Sequence, residues 1–116
     1  MALPKRLQVT FYRTARGLEP VRQWLRDQPS ADRRAIGEAL KEIEADWPVG
    51  MPLCRPMGKG LYEARVTLQD RIARIFFVPA GGKAIILHAF IKKSATTPKT
   101  ELDLARKRQK DWETDR

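Results

Sequence analysis

Five basic side chains in the second half of the sequence carry the chemistry: Arg65, Arg74, Lys92, Lys93 and Lys99. Guanidinium groups hold phosphate oxygens in bidentate fashion and stay charged at any working pH, which suits Arg65 and Arg74 to a polyanion. Lysines crowded beside arginines lose proton affinity and become candidates for acid–base work, which suits Lys92, Lys93 and Lys99, although a plain solvated cluster reads the same way. Phe90 and Phe76 offer faces on which unpaired bases can stack, favouring single-stranded RNA over duplex. For Phe76, packing in a second core under the last helix is the better reading. His88 sits in the same aromatic setting, either as a hydrogen-bonded structural histidine or as part of an exposed binding face.

Composition points the same way. The chain has 116 residues, 42% of them hydrophobic, enough for a single domain over residues 1–116 with one core. Its net charge is +9, with nine Lys/Arg against seven Asp/Glu in residues 1–54 and fourteen against seven in residues 55–116. A sequence pI near 10.2 with the excess in one half is the electrostatic footprint of a nucleic-acid binder. A solvated basic surface, or a patch that docks an acidic partner, is the plainer alternative.

Other classes fall away. The longest apolar run, near Ala84–Ile91, is interrupted by His88 and is far short of the roughly 20 residues of a spanning helix. The start, "MALPKRLQVTFYRTARG", does not read as a signal peptide. A lone cysteine, Cys54, cannot form an internal disulfide and fits a cytoplasmic location. One histidine and one cysteine make no zinc site, and no Walker loop, dinucleotide fingerprint or nucleophile elbow is present. No cofactor, metal or membrane partner is therefore expected.

The elements that must position these side chains follow from periodicity. "LQVTFY", residues 7–12, alternates as a strand. Pro20 suits a first helical turn, and Val21, Trp24 and Leu25 form the stripe of a short helix closed before Pro29. Ser30 is placed to cap a second helix whose stripe is Ile36, Ala39, Leu40, Ile43 and Trp47. Residues 48–60 read as a Pro/Gly loop, and strands follow at about Leu61–Gln69, Arg71–Val78 and Lys83–Lys92. Short turns, one at Gly81-Gly82, make these three antiparallel. Thr97 and Pro98 start a last helix with Leu102, Ala105 and Trp112 on one side. The fold class is α+β: an N-terminal strand, a helical hairpin on a small, mainly antiparallel sheet, and a C-terminal helix.

Strict alternation sorts the side chains of the sheet. One face receives Tyr62, Ala64, Val66, Leu68, Ala73, Ile75, Phe77, Ile85, Leu87, Ala89 and Ile91, and must carry the hairpin. The other receives Glu63, Arg65, Arg74, Phe76, Ile86, His88, Phe90 and Lys92. Buried unpaired charge is costly, so this second face is expected to be open, with Arg74 removable at no cost to the fold.

These residues also resemble a known family. "LYEARV", "ARIFFV" and "IILHAFIKKSATTPKTELDLA" resemble the RelE/ParE toxin superfamily, in particular its phage-associated HigB-like branch. The close match runs from residue 60 to about 106. It implies a cytoplasmic toxin of a type II toxin–antitoxin pair, usually an endoribonuclease that cuts mRNA on the ribosome and is neutralised by a helix-turn-helix antitoxin. By position, Arg65 and Arg74 are the motif arginines, Lys92 and Lys93 the lysine pair, and Lys99 follows Pro98. Ala64, Ala73 and Phe77 depart from the usual leucine, aromatic and tyrosine. The last helix also lacks the His or Tyr that some members use for catalysis, so cleavage would rest on lysine and arginine. The expected reaction is 2′-hydroxyl attack on the adjacent phosphate, with clustered cations stabilising the phosphorane. The alternatives are a ParE-type gyrase inhibitor that is not an enzyme, and a phage accessory protein that only binds a partner.

Overall fold

A computed structural model describes residues 6–92 and 98–115. Eight elements follow in order: β1 (Gln8–Phe11), α1 (Pro20–Arg26), α2 (Ser30–Asp46), β2 (Cys54–Gly58), β3 (Leu61–Thr67), β4 (Ile72–Ala80), β5 (Lys83–Lys92) and α3 (Lys99–Thr114). The strands form one sheet in the order β1-β5-β4-β3-β2, with β1 parallel to β5 and every other pair antiparallel. This is the expected α+β architecture, with α1 and α2 on one face of the sheet and α3 on the other.

The hairpin face is built by periodicity. Ile36, Leu40 and Ile43 recur at helical spacing on α2 and are buried against Ala64, Val66, Ala73, Ile75 and Phe77. Trp47, just past α2, meets Tyr62 edge-on at 5.0 Å and Phe77 at 5.5 Å between ring centroids. α2 is also tied to the edge strand, since the Val9 amide donates to Glu44 Oε2 at 2.7 Å. Pro29, not Ser30, occupies the N-cap of α2, and no side chain caps that end.

Two local features depart from the sequence reading. Within residues 48–60 a fifth strand forms, β2, pairing Arg55 with Glu63. Pro and Gly conceal it because an edge strand can accept Pro, one side of its ladder being free. The second feature is a bulge in β5, where Phe76 pairs with His88 but Phe77 pairs with Ile86, leaving Leu87 as the extra residue. Alternation therefore breaks there. Ile85 and Leu87 lie on the α3 side and Ile86 on the hairpin side, the reverse of the expected assignment, while His88, Phe90 and Ala89 keep theirs. Arg108 of α3 donates from Nη1 to the Leu87 carbonyl at 2.8 Å, satisfying the backbone at the bulge.

The α3 face is not open over its whole length. Leu102, Ala105 and Trp112 pack over Leu61, Phe76, Val78, Ile85, Leu87 and Phe90, forming a second core. α3 is fastened at its far end to the β2–β3 turn. Arg106 donates to the carbonyls of Gly58 (2.8 Å) and Met57 (2.6 Å), and Gln109 Nε2 to that of Lys59 (2.7 Å). Between β4 and β5, Gly81 and Gly82 both have positive φ (58° and 76°), the geometry a two-residue hairpin turn demands. No helix among the described residues is long and apolar enough to cross a membrane.

Cys54 lies in the hairpin-side core, 1% exposed, and burial together with the Glu42 charge pushes its thiol up to about 12. Thiolate is the reactive form, so native protein at pH 8 should react with a disulfide reagent only as fast as it unfolds. Labelling followed against urea concentration checks this: reactivity should rise with the unfolding transition.

Candidate active site

At the end of the sheet not roofed by α3, a cleft of about 130 Å³ is lined by Met51, Pro52, Leu53, Arg55, Glu63, Arg65, Arg74 and Lys92. Each polar member comes from a different place on the same face. Arg55 stands on β2 opposite Glu63 of β3, and Arg65 of β3 stands opposite Arg74 of β4. Lys92 closes the row at the end of β5, where it pairs with Ile72. The segment Met51–Leu53 forms the wall, fixed by the Arg65 amide donating to the Leu53 carbonyl at 2.7 Å. A shallower groove of about 390 Å³, lined by Pro52, Leu53, Arg65 and Thr67, continues from it.

Electrostatics in the cleft are lopsided, with four cations around one carboxylate. Glu63 is 1% exposed, and its Oε1 accepts from Nη1 of Arg74 and from Nη2 of Arg55, the latter at 2.9 Å. Arg74 is 5% exposed, so the expectation that it stands free on an open face does not hold. The sheet tolerates it because Glu63 pairs it, and a paired buried charge escapes most of the penalty that an unpaired one incurs. Its Nε has no hydrogen-bond partner among the described residues. Arg65, by contrast, is exposed. Partial desolvation, followed by the positive charges of Arg74 and Arg65, lowers the Lys92 pKa, while Glu63 opposes them.

Of the residues singled out in the sequence, the structure brings Arg65, Arg74 and Lys92 together. Lys99 is not in the cleft; it stands exposed on the first turn of α3, 3.4 Å from Asp103. Lys93 lies outside the described residues, as does Thr97. Phe90 and His88 are not an exposed stacking platform. Phe90 is 7% exposed, and the Phe76, His88 and Phe90 rings stack on one another beneath α3. Alternation placed them on the correct face but could not show that a helix covers it. The residue missed by sequence reasoning is Arg55, hidden in the stretch read as loop.

His88 has a structural role. Its Nε2 lies 2.7 Å from Glu101 Oε1, and Arg108 Nη1 lies 3.4 Å from Nδ1. A neutral ring with its proton on Nε2 satisfies both contacts. Burial is the main cause lowering its pKa, with Arg108 adding to it, and the Glu101 contact only partly offsets them. A groove of about 650 Å³, lined by Tyr12, Thr14, Ala15 and residues of α3, shares no lining residue with the cleft. There the Tyr12 hydroxyl donates to Asp111 Oδ2 at 2.6 Å, and burial and that bond raise its pKa, so it stays protonated. Among the described residues no group of three or more His, Cys, Asp or Glu could hold a metal ion.

A five-stranded sheet with helices on both faces is compatible with a RelE-like fold. Residues 23–110 match the family described as phage derived protein Gp49-like (DUF891). The chain belongs to that family, which is a RelE-like toxin family typically paired with an antitoxin. No curated protein matches the chain in a sequence comparison.

Two outcomes follow from the ion pair and the histidine. Arg74→Ala takes a buried cation from a buried carboxylate, and should cost about 3–5 kcal/mol of stability in urea unfolding. For His88, the native pKa lies below the unfolded value of about 6.5. As pH falls through that value, the unfolded chain takes up a proton that the native chain refuses, so stability drops. Comparing urea midpoints at pH 7.5 and 5.5 should show a smaller acid loss in His88→Gln than in wild type.

Proposed function

We propose that this protein is the toxin of a type II toxin–antitoxin pair, an endoribonuclease that cuts messenger RNA on the ribosome and is neutralised by a helix-turn-helix antitoxin. The observation that carries this reading is the cleft, where Arg55, Arg65, Arg74 and Lys92 converge on a space far smaller than the roughly 300–1,000 Å³ of sites that enclose a drug-sized ligand. Its scale suits one phosphodiester, and the adjoining groove along Arg65 and Thr67 suits the strand that carries it.

The mechanism uses the substrate as its own nucleophile. The 2′-hydroxyl attacks the neighbouring phosphorus, the P–O5′ bond breaks, and a 2′,3′-cyclic phosphate and a 5′-hydroxyl result. Charge builds on the non-bridging oxygens, where preorganised guanidinium donors are worth most. Arg65 is exposed and reaches the incoming phosphate first, while Arg74, held by Glu63 at the back of the cleft, contributes its charge from a fixed position. Lys92, its pKa lowered, is the group suited to exchange protons with the 2′-hydroxyl or the leaving oxygen. Lys93 is assigned the same task by the sequence motif, and Lys99 contributes long-range charge from the first turn of α3.

The test is direct: purified protein, ribosomes and end-labelled message, with and without chelator. Wild type should cleave in both, leaving cyclic-phosphate ends. Arg65→Ala removes an exposed side chain without opening a cavity, so it should fold normally yet lose about 10²–10³ in rate. RNA affinity should fall with salt at a log–log slope of about −0.7 per phosphate contact, and Arg65→Ala should flatten that slope by about one contact. Growth arrest by Arg65→Ala at wild-type expression, or supercoiling loss with message intact, would sink the ribonuclease reading.

A further inference from the structure

We infer that the groove between the β1–α1 loop and α3 is a docking surface for an acidic, amphipathic segment of a partner protein. That partner is the antitoxin of the reading above, on which the inference rests for the identity of its occupant.

The groove is built like a protein interface, with an apolar interior and charge kept to the edge. Tyr12 is 7% exposed and Leu104 is half-buried, so they form the deeper lining, while Lys107 and Lys110 stand exposed at the margin. The polar groups of the interior are already engaged. The Tyr12 hydroxyl donates to Asp111, and Arg108 donates to the Leu87 carbonyl with its guanidinium 5.8 Å from the centre of the Tyr12 ring. The two lysines differ in this respect, since neither ammonium has an ion-pair partner among the described residues. Three positions apart on α3, they face the same side.

The opposite wall is held in shape before any partner binds. The Thr14 amide donates to the Leu18 carbonyl at 2.8 Å, and the Leu18 amide to Thr14 Oγ1 at 3.1 Å. Gly17, at a φ of 86°, makes the turn between them. This closed loop carries exposed Arg13 and Arg16, with Leu18 at 64% exposure. A preformed wall lowers the ordering cost of binding.

Charge and shape together select the occupant. Cations on both sides attract carboxylates, and the apolar interior takes leucine-like side chains between them, the pattern of an acidic amphipathic helix laid in a groove. A nucleic-acid strand fits less well, because the Asp111 carboxylate lies in the lining and phosphates gain nothing from an apolar interior. A second copy of this chain, at +9, would bring like charge to like charge.

The probe is a peptide of about 14 residues with leucine on one helical face and glutamate on the other, titrated into the intact protein at about 100 mM salt. Binding should shift the backbone amide NMR signals of residues 12–18 and 104–114 and leave those of Arg65 and Lys92 in place. Lys107→Glu with Lys110→Glu should weaken binding at least about tenfold, whereas Arg34→Glu with Lys41→Glu, an equal charge change on the exposed side of α2, should change it less than about twofold. A peptide with serine in place of every leucine should not bind. Equal losses in the two double variants, or full binding of the serine peptide, would overturn the inference by reducing it to general attraction to a basic protein. So would oligouridylate that shifts the residue 104–114 signals, or wild type that sediments as a dimer where Lys107→Glu with Lys110→Glu is a monomer. Peptide binding at the groove without growth arrest on expression would overturn the toxin–antitoxin reading and leave the docking surface standing. Growth arrest with no peptide binding would overturn the docking surface alone.

Discussion

The Glu63–Arg74 ion pair lies inside the sheet, on the face that α3 partly covers, and the rest of the molecule is arranged around it. An arginine at the middle of β4 would ordinarily break the second core, because desolvating a guanidinium without a partner costs more than its neighbours can return. Glu63 on the adjacent strand removes that cost, and Arg55 on the edge strand completes the triad. The apolar half of the face can then be roofed by α3 while the charged half is left as a cleft. The same pair thus serves stability and, in the proposed site, holds Arg74 in place beside the cleft.

The division of the face depends on where α3 stops covering it. Its aromatic foothold is the Phe76–His88–Phe90 stack, and its polar fastenings are Glu101 to His88, Arg108 to the Leu87 carbonyl, and Arg106 with Gln109 to the β2–β3 turn. The bulge at Leu87 contributes by placing Ile85, Leu87, His88 and Phe90 together on the α3 side, a larger apolar patch than strict alternation allows. Those rings stack on one another and support the helix. The proposed site is consequently narrower than an open basic sheet, and its specificity lies in fixed guanidiniums more than in aromatic platforms.

Family membership and geometry meet at the cleft. In the ribonuclease reading we propose, α3 supplies no histidine or tyrosine, and the cations of the cleft take the role of proton carriers. Lys92, crowded by arginines and partly desolvated, is the described residue whose environment moves it in the useful direction. Glu63 moderates that crowding. Three arginines and a lysine around one buried carboxylate can be both strongly attractive to phosphate and compatible with a folded sheet.

Much of this was legible in the residues themselves. Helical spacing of Ile36, Leu40 and Ile43, alternation in Leu61–Thr67 and the Gly81-Gly82 turn are local signals, and they determined the helical hairpin, the central strands and the α+β class. Local signals also put Arg65, Arg74 and Lys92 on one face, since that needs only parity. Only the tertiary structure decided what depends on partners distant in the chain. One such outcome is the pairing of Arg55 with Glu63, which turns a Pro/Gly stretch into β2; another is the bulge, set by the register of β5 against β4. A third is whether a side chain on the second face meets solvent or α3. Burial of Arg74 and Phe90, and partial burial of His88, is of this kind: parity says which way a side chain points, but the element packed above it decides whether that direction leads to water.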